Sequence, residues 1–132
     1  MSQRPTNNGF NKLQRLCSRK LIDQLFASGN RTLSAFPLRV VFMVVSPDVS
    51  DRHQVMMSVS KRLFKHAVDR NRAKRQMREA WRLNNDILLS SIPEGQNLVC
   101  AFIWTAHEAQ TSDLVHSKMR NLLHRMAERM PK

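Results

Sequence analysis

One stretch narrows what this chain can fold into more than any other. Residues 61–82 read KRLFKHAVDRNRAKRQMREAWR. Nine of these side chains are basic (Lys61, Arg62, Lys65, Arg70, Arg72, Lys74, Arg75, Arg78 and Arg82) and two are acidic (Asp69 and Glu79). Nine less two leaves +7 of the chain's net +12 in 22 of its 132 residues. At ~100° per residue along a helix, Ala73, Met77, Ala80 and Trp81 form an apolar stripe. Asn71, Lys74, Arg75, Arg78 and Arg82 point away from it. Lys74/Arg78 and Arg78/Arg82 are like-charge pairs at i,i+4, and such pairs repel. The stripe therefore has to pack on an apolar surface, and the cations suit a polyanion. A merely solvated face mixes signs; this one does not.

The rest of the chain supplies the apolar surface. Phe36 to Val45, FPLRVVFMVV, has the β-branched and aromatic content of a strand. Leu38, Val40, Phe42 and Val44 share one face, and Arg39, Val41, Met43 and Val45 share the other. Both faces are mostly apolar, so both are expected to be covered at least in part. After a turn at 46–51, Gln54 to Ser60 is expected to return as a second, antiparallel strand. From about Leu63 to Leu89 the period becomes helical, with Leu88 continuing the stripe, and Pro93 and Gly95 end that region. LVCAFIW, 98–104, is a nearly unbroken apolar run and reads as a buried central strand. Ahead of the strands, Ser18 is an expected N-cap and Gly29 a helix stop, with Leu21, Ile22, Leu25 and Phe26 on one side between them. Thr111 or Ser112 is placed to cap a last helix, with Asp113 in its first turn. Leu114, Val115, Met119, Leu122, Leu123 and Met126 form its buried stripe. The result is an α+β sandwich with helices on a sheet. Residues 1–14 are polar and basic and read as a mobile arm before a single domain spanning 15–132.

The charge excess calls for nucleic acid or an anionic membrane. No apolar run approaches the ~18 residues that span a bilayer, and the N-terminus lacks the apolar core of an export signal. The cytosol is the expected compartment, in keeping with Cys17 and Cys100, which are no disulfide framework. Catalytic chemistry has no footing. There is no Gly-rich phosphate loop, nucleophile elbow or paired-carboxylate site. Histidines 53, 66, 107, 116 and 124 do not combine with the cysteines at zinc spacing. Trp81 and Trp104 read as core. Arg predominates over Lys between 61 and 82, which suits bidentate phosphate contacts and stacking on bases. Asn71, between Arg70 and Arg72, can both donate and accept, which suits phosphate, ribose or a metal-bound water. A DNA-binding regulator fits poorly, because strands rather than a helix and short turn precede the basic helix. A non-enzymatic RNA module, such as a ribosomal protein or RNA chaperone, explains the charge as well.

AVDRNRAKRQMREAWR resembles the Arg-Asn-Arg helix of the ribonuclease P protein family. Arg70, Asn71, Arg72, Lys74, Arg75, Arg78 and Glu79 fill the positions of that motif. SVSKRLFKHAV resembles the family's strand end and loop before the helix, RLCSRKLIDQLFASG its first helix and AFPLRVVFM its long strand. The resemblance implies an α-β-β-β-α-β-α order, a roughly four-stranded sheet and a left-handed β-α-β crossover. It implies a monomeric partner, one per RNA, of the ribonuclease P RNA subunit, which carries the chemistry of removing the 5′ leader from precursor tRNA. Lys61, Arg62, Arg70, Asn71, Arg72, Lys74, Arg75 and Arg78 would bind the catalytic RNA. Arg19, Lys20, Ile22, Phe26, Arg39 and Val41 would line a cleft for the leader. The protein would bind no cofactor or metal itself; magnesium ions would belong to the RNA-containing holoenzyme. This chain has no Tyr, and Ile22 stands where family members often carry an aromatic. More of the leader grip is therefore expected from shape and from Arg19, Lys20 and Arg39.

Overall fold

A computed structural model describes residues 15–16, 18–27 and 30–130. The expected arm at 1–14, the stop at Gly29 and Cys17 lie outside the described residues. The elements run α1 (Arg19–Leu25), β1 (Arg31–Ala35), β2 (Leu38–Val45), β3 (Gln54–Ser58), α2 (Ala67–Asn84), α3 (Asp86–Leu89), β4 (Asn97–Trp104) and α4 (Ser112–Glu128). This is the expected α+β order, with a short α3 following α2. The four strands form one sheet in the order β1-β2-β4-β3.

Two strand readings need correction. The run from Phe36 to Val45 is not one strand. Phe36 and Pro37 form the turn of a hairpin in which Ala35 pairs with Leu38, so β1 lies antiparallel on β2. Pro37 has no N–H to give a ladder, and its carbonyl accepts instead from the Thr105 N–H at 2.8 Å. Nor is β3 the hydrogen-bonded partner of β2. β4 lies between them, antiparallel to β2 from Leu38↔Trp104 to Val45↔Asn97 and parallel to β3. β3 thus runs opposite to β2 without hydrogen-bonding to it. The physical reason is burial: β4 is apolar from Leu98 to Trp104, and the centre of the sheet is where a strand is best covered on both faces.

The two faces of β2 sort as their alternation requires. Leu38, Val40 and Phe42 join Val55, Met57, Leu98, Cys100, Phe102 and Trp104 beneath the stripes of α2 and α4. Val41, Val99 and Ala101 lie on the other side in a smaller cluster with Leu16, Leu21 and Leu25. Ser18 and Thr111 cap their helices, accepting from the N–H of Leu21 at 3.3 Å and of Leu114 at 3.2 Å. Fully buried Trp81 meets Phe102 at 5.7 Å between ring centroids. Each such large side chain contributes ~1.5–3 kcal/mol by leaving water. That burial is what fixes α2, and with it the direction of its cations.

Candidate RNA interface

α2 buries Ala73, Met77, Ala80 and Trp81, as its stripe requires, and also Gln76. Gln76 stands three residues after Ala73 and four before Ala80, at the edge of the stripe, and only its polarity argued against burying it. Its Nε2 donates to the Gln110 carbonyl at 2.9 Å and the Ser112 hydroxyl at 3.2 Å, tying the middle of α2 to the start of α4. A buried amide satisfied in this way costs little and fixes one register.

On the outer side Asn71, Arg72 and Arg75 are exposed, and Lys74 and Arg78 are half-buried. Arg82 points the same way but is paired: its guanidinium donates twice to the Glu79 carboxylate. The hydrogen bond from Arg82 holds the Glu79 carboxyl below its ordinary range. Arg72 and Arg75 border a shallow cleft shared with Gln76, Glu79, Ser112 and His116, so the start of α4 forms its second wall. Lys61, Arg62 and Lys65 are exposed in the loop that leads into α2. Arg70 differs from its neighbours. It is half-buried, and its Nη1 donates to the carbonyls of Phe64 at 2.8 Å and Lys65 at 3.1 Å. Nothing in the spacing of the basic residues singled out Arg70 for this contact.

The opposite side of the sheet carries the second candidate set. Arg19 and Lys20 are exposed in the first turn of α1, and Arg39 is exposed on β2. Phe26, at the C-cap of α1, is 47% exposed. Ile22 is half-buried and, like Met43, Val45, Met56 and Ile103, packs against the small cluster without being fully covered. α1 is short and roofs only part of this face. Val41 is the exception, buried in the cluster itself. Six residues expected to work together are thus one covered floor residue, one half-buried residue and four exposed ones. Among the described residues no cluster of three or more His, Cys, Asp or Glu side chains could hold a metal ion. No helix among them is long and apolar enough to cross a membrane.

The family model described as Ribonuclease P matches residues 10–127. This chain belongs to the ribonuclease P protein family. The ribonuclease P protein component of Porphyromonas gingivalis is 34% identical over 128 residues, covering 96% of this chain and 93% of its own. That of Chlorobium phaeobacteroides is 37% identical over 92 residues, covering 67% and 62%. The structure of the ribonuclease P protein from Thermotoga maritima superposes with a TM-score of 0.61 at 25% identity, over 84% of this chain and 96% of that one. The Staphylococcus aureus structure gives 0.59 at 18% identity, over 87% and 95%, a likeness of fold. Ribonuclease P proteins are the protein components of a tRNA-processing endoribonuclease. The exposed cations of α2 and its leading loop are in keeping with such a component.

Proposed function

We propose that this chain binds the catalytic RNA of ribonuclease P through α2 and the loop before it, and holds the 5′ leader of precursor tRNA across α1 and the open sheet face. One observation carries the reading: along the outer side of α2, from Asn71 to Arg78, every charged side chain is cationic, and the single acid beyond them, Glu79, is already paired with Arg82. Asn71, Arg72, Lys74, Arg75 and Arg78, with Lys61 and Arg62, present donors to phosphates; Arg70 adds its charge behind them. Guanidinium groups match phosphate geometry bidentately.

The leader reading rests on the partly roofed face. Phe26 and Ile22 offer apolar surface to unpaired bases, Arg19, Lys20 and Arg39 attract their phosphates, and Val41 supports the floor from beneath. Stacking tolerates any base, which suits leaders of varied sequence. The protein contributes binding and orientation, and hydrolysis belongs to the RNA. Magnesium ions belong to the RNA-containing holoenzyme in this reading, with phosphate oxygens of the RNA as their natural oxygen donors. The working unit is one protein monomer per RNA, in the cytosol.

Binding of a bacterial ribonuclease P RNA across a salt series tests the RNA half. Log affinity falls against log salt with a slope of about −0.7 to −0.9 per neutralised phosphate. Arg72→Ala and Arg75→Ala each flatten the slope by about one such contact, and Arg82→Ala by less. Unchanged affinity and slope in both of the first two removes α2 from the interface.

A further inference from the structure

α2 starts without a side-chain cap. His66 holds the N-cap position in an extended conformation, and its side chain makes no capping bond. The orphan end is organised from further along the helix, where the Arg70 guanidinium turns back onto the Phe64 and Lys65 carbonyls. The loop that it grips is anchored twice more. The Leu63 N–H donates to the Ser60 carbonyl and the Arg62 N–H to the Ser60 hydroxyl, both at 3.1 Å. The Phe64 ring packs on buried Trp104 at 6.4 Å between centroids. Between these anchors Lys61, Arg62 and Lys65 stand exposed.

Three cations within five residues repel one another, and a slack loop would let them diverge. A loop ordered before binding avoids paying that ordering at the moment of association. Arg72 and Arg75, by contrast, are exposed and make no comparable bond to the backbone of the loop. We propose that Arg70 is a positioning residue, which locks loop 60–66 in the shape that presents Lys61, Arg62 and Lys65 to RNA phosphates in line with α2. This rests on the RNA-binding reading above. It gives the two arginines of the Arg-Asn-Arg motif different work: Arg70 organises the protein, and Arg72 meets the RNA.

The test uses the full chain and three variants, Arg70→Ala, Arg70→Lys and Arg72→Ala. Amide hydrogen exchange is measured on the protein alone, and affinity for a bacterial ribonuclease P RNA is measured across salt. In Arg70→Ala, amides within 61–66 exchange roughly tenfold faster, as expected for local opening after loss of a charge-assisted hydrogen bond, while those of 73–84 do not change. Its salt slope falls by more than the ~0.7–0.9 of a single phosphate contact, because loop contacts loosen with it. Removing Lys61 and Arg62 costs less affinity in that variant than in the natural chain. Arg70→Lys keeps the charge yet leaves the loop unprotected, since an ammonium lacks the planar reach of the guanidinium. Arg72→Ala loses one contact of slope and alters no exchange. Unaltered loop exchange in Arg70→Ala with a one-contact change in slope overturns the proposal, as does full recovery in Arg70→Lys. Because exchange is read without RNA, failure of the natural chain to bind RNA would sink the functional reading and leave the loop lock standing.

Discussion

Replacing Phe26 by Ala separates the leader cleft from the core. Phe26 sits at the C-cap of α1 and is 47% exposed. A fully buried Phe contributes ~1.5–3 kcal/mol by leaving water, so a half-covered one contributes about 1 kcal/mol. The α1 turn itself is anchored by Leu21 and Leu25, which are buried and untouched by the change. Truncation should therefore lower stability by about 1 kcal/mol, well short of the ~3–5 kcal/mol for a core Phe. Against that stands the loss in binding. Stacking on an unpaired base is worth about 1–3 kcal/mol, a weakening of roughly 5- to 150-fold in Kd. The assay is a titration of the reconstituted enzyme with precursor tRNAs whose leaders shorten stepwise, and with mature tRNA, beside urea denaturation of the protein alone. Phe26→Ala should weaken the long-leader precursor and leave mature tRNA nearly unchanged, with the defect fading at a leader of one or two nucleotides. Phe26→Tyr and Phe26→Trp should retain affinity. Equal weakening of precursor and mature tRNA, or a stability loss of core size, refutes the reasoning.

Met77→Ala and Trp81→Ala remove fully buried side chains beneath the cations; losses of ~2–5 and ~3–5 kcal/mol are expected in urea melts, and a loss under 1 kcal/mol in both would show that α2 is not packed as described. Cys100 is completely buried, and desolvation pushes its thiol pKa far above the ordinary value. In a Cys17→Ser background it should react with a maleimide only as fast as the protein unfolds; immediate labelling contradicts the central place of β4. Glu79 titrates below an ordinary carboxylate because Arg82 bonds its charged form. A depressed folded pKa contributes stability that is present above the unfolded value and lost as pH falls through the folded one. Its NMR midpoint should rise towards the ordinary value in Arg82→Ala, and an unmoved midpoint would mean that the pair does not form.

The helices that carry the candidate interface were legible because their periods are strong. The stripe Ala73, Met77, Ala80, Trp81 could only be the inner side of α2, and Ser18 and the pair Thr111-Ser112 announced two helix starts. β1 was not legible in the same way. Arg31–Ala35 buries only Leu33 fully, so RTLSA reads as polar linker until β2 gives it a partner. Pro37 could have signalled the break in the run from Phe36 to Val45, since its ring removes a ladder donor. The parallel pairing of β3 with β4 joins residues 45 apart, as in Gln54↔Val99, and no local pattern encodes which edge a strand takes. At the site, charge sign and direction could be read from spacing, but side-chain partners could not. The bonds of Arg70 to the loop carbonyls, of Gln76 to the start of α4 and of Arg82 to Glu79 depend on what lies beside each residue in space. The same holds for Val41, whose burial follows from where α1 lies across the sheet.

Reconstitution tests the central claim most directly. Purified protein, a bacterial ribonuclease P RNA and the two together are incubated with precursor tRNA at low magnesium, and release of the 5′ leader is followed. The account predicts no cleavage by the protein alone, weak cleavage by the RNA alone and efficient cleavage by the mixture, with that gain reduced when Arg72 and Arg75 are both replaced by Ala. Leader release that follows the RNA-free protein through purification, or a mixture no faster than the RNA by itself, would contradict it.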